Sequence, residues 1–206
     1  MIKVLLIGDG GHSKVIKSMI SRTTTHELYG VLDSKFSMRT EQYQIFYDCL
    51  DAIDNYKDEY RFIVAIGNNE IRKNIIKKYS LDDSNFTTII DPNAIVADDV
   101  VIGLGTVVMP GAIINSSTIV GRHCIVNSGA IIEHDNQISD FVHISPQATL
   151  TGTVTVGQFS HIGAGATVIP NIQIGENVIV GAGSVVINNI NDDCKVVGVP
   201  AKNIRR

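Results

Sequence analysis

From Val96 onward an aliphatic residue returns every six positions for sixteen consecutive steps: Val96, Ile102, Val108, Ile114, Val120, Val126, Ile132, Ile138, Ile144, Leu150, Val156, Ile162, Val168, Ile174, Val180 and Val186. Neither a 3.6-residue helical stripe nor the two-residue alternation of an ordinary sandwich strand gives that spacing. A chain that turns a corner every six residues closes a triangular coil of three short strands, and each coil rises by one strand spacing, ~4.8 Å. Residues eighteen apart should therefore stack, with the aliphatic ladder inside. Two positions before most ladder residues sits a small or β-branched side chain, such as Thr106, Ala112, Thr118, Cys124, Ala130 and Ala148. Just after the ladder residue comes glycine at Gly103, Gly121, Gly157, Gly163, Gly175 and Gly181, expected to relax the corner backbone. The sides of such a prism carry few charges, which makes them association surfaces and points to a homo-oligomer, most simply three prisms side by side.

Ahead of the repeat the composition changes, with most of the charge in residues 1–90 and a boundary near Asp91-Pro92. Ile2–Ile7 reads as a buried strand, followed by the turn Gly8-Asp9-Gly10-Gly11-His12-Ser13 and a helical run over 14–21. Strand patterns at 28–32, ending on Asp33, and at 62–66, ending on Gly67-Asn68-Asn69 before a helical 70–79, repeat that grammar. The expected organisation is a small parallel α/β domain over 1–90, a prism over 91–187 and a tail over 188–206.

With 44% hydrophobic and 18% charged residues, the composition excludes a disordered chain. A net charge of -4 lacks the basic excess of a nucleic-acid binder. Apolar runs are too short to span a bilayer and no leader pattern precedes them, so the expected location is the cytoplasm, without membrane insertion. Cys49, Cys124 and Cys194 are widely spaced without a CxxC, and are expected as reduced thiols.

Several residues suggest chemistry. His134 and Asp135 follow the Ile132 ladder position, where side chains project outward at a corner. An imidazole beside a carboxylate suits a general base, and an ordinary exposed corner histidine fits the same spacing. His143 lies nine residues on, half a coil away, so the two should leave different faces and could share a site only across a subunit interface. His161 should stack on His143. His123 and His134 fall at different corner phases, so no metal site is expected. The Gly8-x-Gly10-Gly11-His12 turn can cradle a phosphate at a helix N-terminus. Ser13 replaces the third glycine of a dinucleotide fingerprint, and the domain is too small for a full NAD fold.

The hexads ending in Val197-Gly198-Val199-Pro200-Ala201-Lys202 resemble the hexapeptide-repeat acyltransferases. With Gly10-Gly11-His12, Ala65-Ile66-Gly67-Asn68-Asn69-Glu70-Ile71-Arg72, Ile132-Glu133-His134-Asp135 and Phe141-Val142-His143-Ile144-Ser145, the chain is similar to the sugar acetyltransferases of bacterial surface-glycan pathways. That group holds UDP-4-amino-sugar N-acetyltransferases of bacillosamine-type synthesis and sialic-acid O-acetyltransferases. The resemblance covers essentially the whole chain. It implies a Rossmann-like α/β domain followed by a left-handed parallel β-helix, a homotrimer, acetyl-CoA as co-substrate and no metal. It further implies His134 as base, tuned by Asp135 where the resembled enzyme has Glu, with Glu133 as the other carboxylate at hand. His143 would bind the thioester end, and Ala164 and Ala182, one coil apart, would give backbone contacts to the CoA arm, with the tail contributing. Gly10, Gly11, His12, Asp33, Ser34, Gly67 and Asn68 would form one crevice for a UDP-amino sugar, Ser34 standing where the resembled enzyme has a second Asp. The implied reaction is N-acetylation of a UDP-linked 4-amino-4,6-dideoxy sugar. O-acetylation of a sialic acid or other polysaccharide sugar, and a non-catalytic sugar-nucleotide-binding protein, are the alternatives.

Overall fold

The computed structural model describes residues 1–204, so the last two residues of the 188–206 tail lie outside the described residues. The first domain runs β1 (Ile2–Ile7), α1 (Gly11–Ile20), β2 (His26–Asp33), β3 (Thr40–Gln42), β4 (Ile45–Cys49), β5 (Arg61–Val64) and α2 (Asn69–Lys78). Its sheet order is β3-β4-β2-β1-β5, parallel except for the edge strand β3. The β3–β4 hairpin was not expected, because Tyr43 and Gln44 hold its turn at φ 51 and 66 without the glycine that usually signals such a turn.

The repeat forms a prism whose strands pair in register with those eighteen residues away, as in Ile113↔Ile131, Ile119↔Gln137 and His143↔His161. One face contains Val107–Val108, Ile125–Val126, His143–Ile144 and His161–Ile162. A second contains Ile113–Ile114, Ile131–Ile132 and Thr149–Leu150, and a third contains Ile119–Val120, Gln137–Ile138 and Thr155–Val156. Ladder positions from Val108 to Val186 are buried in one continuous core, with Val96 and Ile102 partly buried at its open end. Coil pairing extends beyond 91–187 at both ends, from Ile89 against Val107 to Lys195 against Ile179.

The glycines after the ladder residues have a different purpose from the one expected. Corners are turned two positions later, at left-handed residues that are mostly not glycine, among them Ser117, Asp135, Phe141, Thr153 and Phe159. Gly103 and Gly157 are instead required by coil spacing: a Cβ would sit 2.6 Å from the Gly121 carbonyl carbon and 2.5 Å from that of Gly175, respectively. At these two corners the backbone of the next coil comes too close for a side chain.

The first domain docks on the first face, where Val107, Met109 and Ile125 pack with Val4, Leu6, Ile16, Met19 and Ile63. Arg72 of α2 locks that junction. It is 1% exposed and donates to the carbonyls of Ile66 (3.1 Å), Gly67 (3.0 Å), His123 (3.1 Å) and Phe141 (3.1 Å). Asn69 adds bonds to the carbonyls of Phe159 (2.8 Å) and Ser160 (3.2 Å). The other two faces are uncovered and present Ile95, Val101 and Ile119 to solvent.

Candidate active site

Residues 133–136 form a corner between the second and third faces. Asp135 turns it in the left-handed region at φ 60, with its N–H donating to Ser116 O at 3.0 Å. His134 and Asp135 have side chains 60% and 55% exposed, and His134 Nδ1 lies 2.7 Å from Asp135 Oδ2. The shorter Asp thus makes the contact expected of Glu. A carboxylate on Nδ1 fixes the tautomer with Nε2 as the proton-accepting nitrogen. Glu133 is engaged elsewhere, accepting from Asn115 Nδ2 at 2.8 Å, so Asp135 is the carboxylate partner of the imidazole.

The ring rests against Gly152, one coil along. A Cβ there would fall 2.6 Å from His134 Cε1 and 2.7 Å from Nε2, although the Gly152 backbone itself suits any residue. Gly152→Ala should therefore fold normally yet push the imidazole aside. Because displacement by an ångström can cost on the order of 100-fold, kcat should fall at least about tenfold with Tm unchanged. Wild-type turnover by the folded variant contradicts this role.

His143 occupies the docked face, well away from the His134 edge. It stacks on His161 with ring centroids 4.5 Å apart at 6°. Ser128 N–H donates to Asn127 Oδ1 at 2.8 Å, which turns the Asn127 amide nitrogen toward His143 Nε2 at 3.1 Å. Nε2 is therefore an acceptor, and the N–H is on Nδ1, 3.2 Å from Gly67 O. Burial, with help from His161 and Arg72, pushes the His143 imidazole down to about 3. With both nitrogens taken, the thioester oxygen expected near His143 finds no free imidazole N–H there. His161 is held by Ser145 Oγ at 2.6 Å. Ala164 and Ala182 lie exposed at the neighbouring edge, one above the other, with Gly183 N–H donating to Ala164 O at 2.8 Å.

In the first domain, a cavity of about 400 Å³ opens at the C-terminal ends of β1 and β2. Gly8, Asp33, Ser34, Ile66, Lys78 and Tyr79 are among its lining. Asp33 accepts from the N–H groups of Asp9 (2.7 Å) and Lys35 (3.0 Å), so it shapes the glycine turn as well as the cavity wall. A Cβ at Gly10 or Gly11 would meet nothing, which leaves the α1 N-terminus open to a ligand. His12, half-buried, is pushed down to about 4 by partial loss of water around its ring, with the charge of Arg72 adding to the shift.

The single crevice expected for Gly10, Gly11, His12, Asp33, Ser34, Gly67 and Asn68 is divided in the structure: Asp33 and Ser34 line that cavity, while Gly10, Gly11 and His12 lie outside its lining. Gly67 and Asn68 border a separate space of about 420 Å³ with Asn69, Phe159 and His161. Asn68 Oδ1 caps α2 by accepting from Ile71 N at 3.0 Å, and Gly67 O is bonded to Arg72. Both therefore build the domain junction. Sequence reasoning missed Arg72 as that lock, the space-making Gly152, and the cavity-lining Lys78 and Tyr79. Only the eighteen-residue step from His134 to Gly152 could have signalled one of them.

The His123 ring stacks on Phe141 at 5.0 Å and meets Phe86 edge-on at 4.5 Å. Its burial also pushes it down to about 4. His12, His123 and His143 are thus neutral when folded and bind protons on unfolding. Their lowered folded pKa values put the stabilisation fully in place above about pH 6.5, to be lost as pH falls toward about 3–4. The urea midpoint should drop clearly from about pH 7.5 to about pH 5, within that window. Equal midpoints contradict this account.

Comparison with known proteins fits this architecture. Residues 3–79 match the family described as PglD N-terminal domain, and residues 153–188 match bacterial transferase hexapeptide (six repeats). UDP-N-acetylbacillosamine N-acetyltransferase of Bacillus subtilis (strain 168) is 45% identical over 109 residues, 52% of this chain and 50% of that protein. The match thus spans about half the length of that curated relative. A His-to-Asn mutant of perosamine N-acetyltransferase from Caulobacter crescentus, solved with CoA and GDP-perosamine, superposes with TM-score 0.89 at 32% identity, covering 99% of this chain and 97% of that one. The acetyltransferase domain of PglB from Neisseria gonorrhoeae FA1090, solved with acetyl coenzyme A, gives 0.88 at 32% identity over 98% of both chains. With an α/β domain followed by a left-handed β-helix, the chain belongs to the hexapeptide-repeat acetyltransferase family that these two enzymes represent.

Proposed function

We propose that this protein transfers the acetyl group of acetyl-CoA to the amine of a UDP-linked 4-amino-4,6-dideoxy sugar for bacterial surface-glycan synthesis. The observation that carries the reading is the exposed His134–Asp135 pair, with Nδ1 committed to the carboxylate and Nε2 directed to its own task. His134 Nε2 takes a proton from the sugar amine as its nitrogen bonds to the thioester carbonyl carbon. Collapse of the tetrahedral intermediate breaks the C–S bond, and the imidazolium returns the proton to the leaving CoA thiolate. Gly8, Gly10, Gly11, His12, Asp33 and Ser34 hold the nucleotide end, the glycine turn offering its amides to the diphosphate. Support for this choice of substrates comes from the names and bound ligands of the Bacillus, Caulobacter and Neisseria relatives.

The CoA arm runs along the edge of Ala164 and Ala182, with His143 as a wall of its channel and the 188–206 tail closing the end. His134 and that edge belong to different sides of one prism, so the complete site needs a neighbouring copy. The exposed aliphatic residues of the two uncovered faces suit a homotrimer. The reaction takes place in the cytoplasm, and no helix among the described residues is long and apolar enough to cross a membrane.

The test is CoA-thiol release from acetyl-CoA with UDP-4-amino-4,6-dideoxy-N-acetylglucosamine, a sialic acid, or no acceptor. Release with the amino sugar alone is expected; release with the sialic acid alone means O-acetylation, and binding of the UDP-sugar without release means a non-catalytic protein. Sites shared between copies predict complementation. Inactive His134→Ala copies reassembled with inactive Ala182→Trp copies should recover part of the turnover, and full inactivity of the reassembled mixture overturns the shared site.

A further inference from the structure

Inside the prism, each edge has a column of side chains two positions before the ladder. At the edge that bears His134 this column reads Val100, Thr118, Asn136, Val154 and Ile172. Polar side chains occur only at the coil carrying His134 and the coil before it. Asn136 is fully buried in a mostly aliphatic core, where the other buried polar side chains of these columns are the hydroxyls Thr106, Thr118, Ser160 and Ser184, and an amide is costly there unless it is hydrogen-bonded. Its Nδ2 donates to Glu133 O at 2.6 Å, His134 O at 3.2 Å and Thr151 O at 2.9 Å. Thr118 Oγ1 adds a bond to Glu133 O at 2.9 Å. Elsewhere a column hydroxyl supports the next coil alone, as Ser160 Oγ does with Gly175 O at 2.7 Å. Asn136 does this through Thr151 and also bonds back to two carbonyls of its own corner.

Asn136 Oδ1 is buried without a partner. Valine fits the same column at Val154, so filling the core does not by itself call for an amide at Asn136. The amide bonds back to the corner that carries the left-handed Asp135 and the imidazole lying against Gly152.

We infer that Asn136 is a positioning residue for the base, fixing the His134–Asp135 corner from inside the prism so that the imidazole holds its place over Gly152. The inference rests on His134 being the base. Asn136 touches no solvent, so substrate binding is independent of it.

The experiment measures kcat, both KM values and Tm for wild type, Asn136→Val, Asn136→Thr and His134→Ala. Asn136→Val should lower kcat about tenfold or more in a chain that still folds, with both KM values within about twofold, a split that a loss of folding does not produce. Asn136→Thr keeps a hydroxyl able to reach the next coil, as Ser160 does, and lacks the reach back to the corner, so it should show the same kcat loss in a folded chain. If Asn136→Val does not fold, the threonine variant decides. Wild-type kcat in a folded variant overturns the inference, and so does a rise in KM with kcat unchanged. If His134→Ala itself retains full activity, the underlying assignment of the base fails instead.

Discussion

His134→Ala should lower kcat by about 100- to 10,000-fold, the range for loss of a general base, with both KM values nearly unchanged and Tm within about 2 °C of wild type. The small effect on stability follows from geometry. The side chain is 60% exposed, and its one side-chain partner is the equally exposed Asp135, an arrangement worth little in water. What disappears is the nitrogen proposed to receive the amine proton. His134→Gln should be nearly as slow, since an amide cannot accept a proton at neutral pH. A folded His134→Ala protein with more than about a tenth of wild-type kcat contradicts the assignment, because general-base catalysis contributes at least ~100-fold.

The largest effect on stability is expected at Arg72→Met. Burial pushes the guanidinium down to about 10, which still leaves it charged at neutral pH, and four carbonyls share that charge. Methionine fills the volume and leaves the Ile66, His123 and Phe141 carbonyls without their donor, at roughly 1–3 kcal/mol each, while Gly67 O keeps the His143 Nδ1 N–H, against recovery of one guanidinium's burial cost. A net loss of about 3 kcal/mol lowers Tm by roughly 6–12 °C in a chain of this size. Since Ile66 and Gly67 are among the acceptors, the nucleotide cavity shifts relative to the prism and KM for the nucleotide sugar rises. Arg72→Lys keeps the charge and loses the planar fork, so it should recover less than half of the lost stability. Calorimetry with a Tm change below about 2 °C for Arg72→Met would remove Arg72 as the lock of the domain junction.

The prism was legible because its ladder depends on a period alone, and the fold follows from sixteen aliphatic residues in phase. That His134 and Asp135 fall at an outward corner was legible for the same reason, whereas the choice of Asp135 over Glu133 as partner needed the contact of Asp135 Oδ2 with Nδ1 and the bond of Glu133 to Asn115. The reading of the glycines failed because sequence shows where a glycine is and not which demand it meets; Gly157 answers a close approach of coils, while the left-handed turns fall on residues such as Asp135 and Phe159. Gly67 and Asn68 were misplaced because adjacency to a strand end does not say which side of a domain junction a turn faces. Nothing in the sequence sets Arg72 apart from the other cations of its helix as a junction residue, and only tertiary structure brings the His123 and Phe141 carbonyls to it. Asn136 stood out from its column only once the column was known to line the core edge behind His134.

The most direct test of the central claim is to locate the transferred acetyl group. After incubation with carbon-13-labelled acetyl-CoA and UDP-4-amino-4,6-dideoxy-N-acetylglucosamine, NMR and mass spectrometry of the nucleotide sugar should show the label as an amide on the 4-nitrogen, resistant to hydroxylamine. An unlabelled nucleotide sugar, or a label that hydroxylamine removes as an ester would, contradicts it.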